Sequence, residues 1–209
     1  MAKRCRGASR CALAPSAALA LSLPIVYNPP TMPANLLLTG RPGVGKTTLV
    51  RRVLEELNDV PATGFYTAEI RSGGRRLGFH VVTLDGQKAV LAHVEIPGKR
   101  RVSRYGVDVA TFERVALPSL IPGPPTRFIV IDEIGKMECF SHAFREAVLR
   151  ALDADTPVLA TIALRGDRFI EGLKAREDVE LVEITPANRD DLVKKLAAGL
   201  KERLFGRQD

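Results

Sequence analysis

Cysteine is scarce in this chain: three residues in 209, too few for a disulfide framework. Cys5 and Cys11 fall in an unusual N-terminal segment, so Cys139 is the only thiol of the body. No CxxC pair or Cys/His cluster has metal-site spacing, which excludes a structural zinc and leaves Cys139 as a buried small residue. The body therefore reads as cytosolic. Tryptophan is absent, and there are no internal repeats. Charge of either sign is missing from Cys11 to Gly40, and Ala12–Val26 is mostly apolar. That run is shorter than the roughly 20 residues a membrane span needs, and Pro15 and Pro24 interrupt it. Acidic residues are missing from residues 1–31, where Lys3, Arg4, Arg6 and Arg10 supply +4 of the formal +7 charge. A basic start before an apolar run has the layout of a targeting presequence. The breaker cluster Tyr27–Thr31 followed by Met32 supports a simpler reading, in which the working protein begins at Met32. Residues 1–31 are thus taken as an extension, disordered or outside the working protein, and residues 32–209 as one domain.

What is present is ordinary for a globular domain: 45% hydrophobic and 26% charged residues, which excludes a disordered or collagen-like chain. From Met32 onward, 27 basic residues face 24 acidic ones. This mildly basic balance suits an anionic ligand such as a nucleotide better than a nucleic-acid surface.

Short apolar runs alternate with helical periodicity. Asn35–Thr39, Arg127–Ile131, Pro157–Ile162 and Val179–Ile184 read as buried strands. Helices are predicted over Lys46–Asn58, Asp108–Val115, Ser141–Leu152, Phe169–Lys174 and Pro186–Leu204, the last with Thr185 as N-cap. Gly64–Arg71, Arg76–Leu84 and Lys88–Glu95 are strand-like runs with tight turns, an antiparallel meander inserted into the fold. Pro97–Val107 reads as a basic loop and Pro118–Thr126 as a proline-rich connection. The expected architecture is a three-layer α/β fold with a mostly parallel central sheet.

Gly40-Arg41-Pro42-Gly43-Val44-Gly45-Lys46-Thr47, followed by Thr48, fits the phosphate-loop pattern G-x-x-x-x-G-K-[ST] between a strand and a helix. Its glycines let successive backbone N–H groups face inward around phosphate oxygens, and the following helix adds its N-terminal dipole. Lys46 would reach the β- and γ-phosphates, and the Thr47 hydroxyl would ligate Mg²⁺. The second element is the strand ending Ile131-Asp132-Glu133. It places Asp132 at the C-terminal edge of the sheet beside the first strand, to hold Mg²⁺, with Glu133 polarising the attacking water.

With these segments in hand the chain becomes recognisable. LLLTGRPGVGKTTLVRRV, GFYTAEIRSGGRRLGFHVVTLDG, SRYGVDVATFE, FIVIDEIGKMECFS, PVLATI and ELVEITPANRDDL, in that order, resemble the THEP-type nucleoside-triphosphatase family over Ala34–Leu192. IDEIGKME is far more specific than the phosphate loop. The resemblance implies a RecA-like P-loop fold and Mg²⁺-dependent hydrolysis of several nucleoside triphosphates, with weaker action on diphosphates. It carries Gly135, Lys136 and Glu138 onto the rest of the acidic signature and Tyr105-Gly106-Val107 onto a family turn. Residues 1–31 lie outside it.

Other residues are weaker candidates. Hydrolysis calls for cation density on the γ-phosphate, and Lys99, Arg100, Arg101 and Arg104 crowd six residues, making Arg104 the first choice of arginine finger. A solvated basic loop is the plain alternative. Thr67 and Glu69 share a strand face and could reach the γ-phosphate, or merely mark a half-exposed strand. Asn188-Arg189-Asp190-Asp191 partly matches a guanine-reading pattern; Asn188 and Arg189 are taken as neighbours of the base without guanine selectivity. The function expected is a cytoplasmic, monomeric Mg²⁺-dependent nucleoside triphosphatase acting on ATP, GTP and other triphosphates, needing neither nucleic acid nor membrane. The alternatives are a P-loop kinase of a small acceptor and a slow nucleotide-switched binding module.

Overall fold

A computed structural model describes residues 34–206. The extension 1–31, with Cys5, Cys11 and the start at Met32, lies outside the described residues.

Nine strands form one sheet: β1 (Asn35–Gly40), β2 (Ala62–Ser72), β3 (Arg75–Thr83), β4 (Lys88–His93), β5 (Arg101–Val102), β6 (Tyr105–Val107), β7 (Phe128–Ile134), β8 (Val158–Ile162) and β9 (Val179–Ile184). Among the described residues five α-helices accompany them: α1 (Lys46–Glu56), α2 (Val109–Ser119), α3 (His142–Leu152), α4 (Arg168–Lys174) and α5 (Arg189–Phe205). The strand order is β5-β6-β4-β3-β2-β7-β8-β1-β9.

The expectation of a mostly parallel sheet is corrected: the sheet is mixed. β2–β7, β7–β8, β8–β1 and β1–β9 are parallel, whereas β2–β3, β3–β4, β4–β6 and β6–β5 are antiparallel. The meander is present and adds its antiparallel strands to the central sheet through β2, which pairs parallel with β7. The stretch expected to be a basic loop folds as the β5–β6 hairpin on the outer edge, with Ser103 at positive φ in its turn.

Helices cover both faces, as period-two burial of the central strands requires. Leu37, Ile129, Ile131, Val158 and Ala160 face α2, α3 and α4. Leu36, Leu38, Phe128, Val130 and Leu159 face α1 and α5. On the first face Phe112 packs edge-on against Phe65 and Phe144, with ring centroids 5.7 and 5.1 Å away. Ser141 caps α3, its Oγ accepting from Phe144 N at 2.9 Å. The last helix differs from expectation. Asn188 Oδ1 accepts from Thr185 N at 2.8 Å, closing a turn, so the helix begins three residues later at Arg189. Pro118 lies inside the last turn of α2, not in the connection.

Candidate active site

Burial on both faces makes β1, β7 and β8 apolar, and their parallel alignment brings three loops to one carboxyl edge. In open α/β sheets that edge is where ligands bind. The phosphate loop leaves β1 there. Gly43 and Gly45 take φ of 76° and 106°, and a Cβ on either would meet nothing within 4 Å. The glycines therefore serve conformation and leave the inside of the loop open. Gly45 is the N-cap of α1 with no side-chain bond, so the first helical N–H groups remain available to an anion. Lys46 Nζ donates to Gly40 O at 3.3 Å, lying back across its own loop.

β8 lies between β1 and β7, which corrects the expectation that Asp132 sits directly beside the first strand. The separation of two strands is about 9.6 Å. Asp132 is fully buried, and Thr161 of β8 donates to its Oδ1 at 2.6 Å. Its Oδ2 has no hydrogen-bond partner. Burial raises this carboxyl above the ordinary aspartate range, while Thr161, Thr47, the backbone of Thr67 and Lys46 pull it down. An orphaned, buried carboxylate oxygen beside the Thr47 hydroxyl is a donor set that fits Mg²⁺. That ion takes one or two carboxylates and completes its shell with water and phosphate. Among the described residues no cluster of three His, Cys, Asp or Glu offers a fuller protein cage.

Glu133 is partly exposed at the strand end. Burial raises its carboxyl, Lys46 opposes the shift and Asp132 adds to it. Glu138, in a 3-10 turn spanning Glu138–Phe140, is 4% exposed. A Cβ on Gly135 would lie 2.9 Å from Glu138 Oε2 and 3.1 Å from Glu133 Oε1, so both carboxyls crowd the same glycine. Burial, then the neighbouring Glu133 charge, hold Glu138 well above the usual glutamate range. A second buried acid beside Asp132 and Glu133 is a feature that residue-by-residue reading undervalues. Its signal was the family stretch running on to Glu138. Cys139 beside it is inert, its thiol pushed by burial up to about 12.

Arg104 is not brought to this site. It stands beside β6, six strand positions from β1, about 29 Å across a flat sheet. Its guanidinium donates to Arg76 O and lies 5.2 Å from the Tyr105 ring centre. Arg101 is likewise spent on Ile96 O and Arg104 O, and Arg100 shares the same hairpin. Glu69 is tied to Arg71 and Arg76, whereas the Thr67 backbone reaches Asp132. Asn188 and Arg189 do lie near the loop. Ile184, just before them, pairs with Gly40, and Arg189 Nη1 is 3.5 Å from Val44 O. Both ends of the Asn188 amide are occupied, because Nδ2 donates to Glu183 O at 3.0 Å. Lys136 is exposed on the loop after β7.

A profile of an NTPase family matches residues 35–197. The chain belongs to this family. Similar to it are "Nucleoside-triphosphatase THEP1" of Thermotoga petrophila, 43% identical over 79% of this chain and 92% of that protein. The human "Cancer-related nucleoside-triphosphatase" is 45% identical over 78% of this chain and 94% of its own length. The crystal structure of THEP1 from Aquifex aeolicus superimposes with a TM-score of 0.73 at 36% identity, covering 80% of this chain and 99% of that one. The NTPase-family relatives are named as nucleoside-triphosphatases, which are hydrolases, and the protein is an enzyme of that class. No described helix is long and apolar enough to cross a membrane.

Proposed function

We propose that the protein is a P-loop, RecA-like, Mg²⁺-dependent nucleoside triphosphatase that converts ATP, GTP and other triphosphates to diphosphate and phosphate, and acts more weakly on diphosphates. The observation that carries this reading is the buried Asp132, whose Oδ2 has no partner and which stands beside Thr47 at the end of an open phosphate loop. Thr47 and Asp132 would hold Mg²⁺, which when bound neutralises charge on the β- and γ-phosphate oxygens. Backbone N–H groups of residues 40–48 cradle the phosphates, and Lys46 leaves Gly40 O to meet the terminal one. Glu133, open to solvent on one side, accepts a proton from the attacking water. As the water oxygen bonds to the γ-phosphorus, the β–γ bridging P–O bond breaks and its electron pair stays on the diphosphate. Thr161 fixes the carboxylate plane of Asp132.

The occupied amide of Asn188 supports loose base reading, since the group best placed to read an exocyclic position is spent on its own turn. We read the enzyme as a cytoplasmic monomer, residues 32–209 being its working domain, with no requirement for nucleic acid. The test is phosphate release with Mg²⁺ and each of ATP, GTP, CTP and UTP, for the natural chain and for Glu133→Gln. Broad release is expected, reduced about 10²–10⁴-fold by the substitution with nucleotide binding retained. Tight binding without release would favour the kinase or switch readings instead.

A further inference from the structure

Because β8 separates β1 from β7, the chain leaving β8 emerges between the phosphate loop and the acidic pair. Two bonds fix that exit. Thr39 Oγ1 donates to Ile162 O at 3.2 Å on the phosphate-loop side, and Ala163 N donates to Ile134 O at 3.1 Å on the acid side. The segment Ala163-Leu164-Arg165-Gly166-Asp167 is then pinned from three directions. Lys174 Nζ, on a side chain 10% exposed, donates to Leu164 O at 2.8 Å. Gly166 N donates to Glu171 Oε1 at 3.1 Å. Arg145 Nη2 donates to Asp167 Oδ2 at 2.8 Å, while Asp167 Oδ1 accepts from Phe169 N and Ile170 N. A Cβ on Gly166 would lie 2.5 Å from Ile170, so the segment is seated directly on α4.

Three side chains (Arg145, Glu171, Lys174) are thus committed to holding a five-residue loop at the mouth of the site. Arg165, between the pinned Leu164 and Gly166, is exposed, and among the described residues its guanidinium meets no acceptor, carboxylate or ring. The fixed backbone sets where the side chain starts, and its unspent N–H donors leave it free to turn onto an anionic group at the site. The cations of the β5–β6 hairpin have the opposite character: the Arg101 and Arg104 guanidiniums are consumed locally, on a hairpin whose strands lie five and six positions from β8.

We propose that Arg165 is the cis-acting cation that contacts the γ-phosphate during hydrolysis, supplying from the loop after β8 the charge stabilisation of an arginine finger. This rests on the triphosphatase reading above. As the bond to the γ-phosphorus breaks, its fork of N–H donors can meet two phosphoryl oxygens at once, a geometry a lysine ammonium does not match.

The test uses the full chain with Arg165→Ala, Arg165→Lys and Arg168→Ala. Its two readouts are the kcat and KM of phosphate release, and the affinity of ADP with Mg²⁺, alone and with aluminium fluoride. Arg165→Ala is expected to lower kcat at least about 10²-fold with KM within about threefold, because arginine fingers act on the transition state. Affinity for ADP with aluminium fluoride should fall at least about tenfold while that for ADP alone holds, the signature of a contact made only at the transferring group. Arg165→Lys should recover part of both losses. Arg168→Ala, past the pinned segment, should stay near the natural rate, and the melting temperature of Arg165→Ala should not change. The proposal is overturned if Arg165→Ala keeps its turnover, or if ADP alone weakens as much as the aluminium fluoride complex. If the natural chain releases no phosphate, the triphosphatase reading fails by itself. The aluminium fluoride comparison then decides Arg165, equal affinity of the natural chain and Arg165→Ala for that complex overturning it.

Discussion

The two halves of the sheet handle polar groups in opposite ways. In β1 and β8 every residue is buried, and in β7 every residue but Glu133. The polar exceptions Asn35, Thr39, Asp132 and Thr161 are each hydrogen-bonded except at Asp132 Oδ2. In the antiparallel half, charge is plentiful and exposed: Glu69 pairs with Arg71 and Arg76 through side chains 36–58% exposed. Exposed pairs contribute roughly 0–1 kcal/mol, whereas a buried polar atom without a partner costs about 1–3 kcal/mol. One orphaned oxygen in the parallel half therefore says more about function than the six arginines in the other. Site charge is marked by its cost, and surface charge by its number.

The seam between the halves is the place to break this arrangement hardest. Gly64 of β2 pairs with Val130 of β7 at φ 117°, and a Cβ there would lie 1.9 Å from Val130 O. Gly64→Ala is expected to destabilise the fold by roughly 3 kcal/mol, since backbone, not a flexible side chain, must give way. Denaturant unfolding measures this, and a loss below about 1 kcal/mol would show that the two halves are not rigidly joined.

A smaller effect tests the acid cluster. Glu138 has a raised carboxyl in the folded state, so its contribution to stability is fully present below the ordinary glutamate range. It is lost as pH rises toward the folded-state value. Glu138→Gln removes that penalty. The variant should match the natural chain near pH 4 and exceed it by about 1 kcal/mol or more near pH 8, the scale of a carboxylate charge held in a buried site beside another. Melting curves at the two pH values check this; a difference that grows toward acid would reverse the sign of the argument.

The sequence made the parallel half legible because burial on both faces leaves unbroken apolar runs, and the proposed site lies at their ends: Gly40–Thr47 after one, Asp132-Glu133 closing another. It did not show strand order. Nothing local in Val158–Ile162 tells that this strand inserts between the other two. For that reason Thr161 as the partner of Asp132, and the exit of Arg165 between loop and acids, could not be read from neighbouring residues. Turn chemistry misleads where two polar residues compete: Thr185 stands before Pro186, a good first helical residue, but the Asn188 amide bridges Thr185 N and Glu183 O together. Linear sequence reports the charge density of the basic hairpin faithfully, but it does not hold the hairpin's location at the far edge of the sheet.

The smallest expected effect bears on that last point. Arg104 donates to Arg76 O and rests on the Tyr105 ring, which already uses its hydroxyl with Arg76. Removing one guanidinium from this edge cluster should cost up to about 1 kcal/mol of stability, the worth of an exposed cation–π contact and a shared hydrogen bond. Turnover by Arg104→Ala should stay within about twofold of the natural chain, because an exposed charge some three Debye lengths from the phosphate loop is screened at physiological salt, where that length is about 8 Å. Steady-state phosphate release measures it. A loss of 10²-fold would mean that the hairpin swings onto the nucleotide during the cycle. The antiparallel half would then be a moving part of the site, and the contrast between costly charge and plentiful charge would fail where it is sharpest.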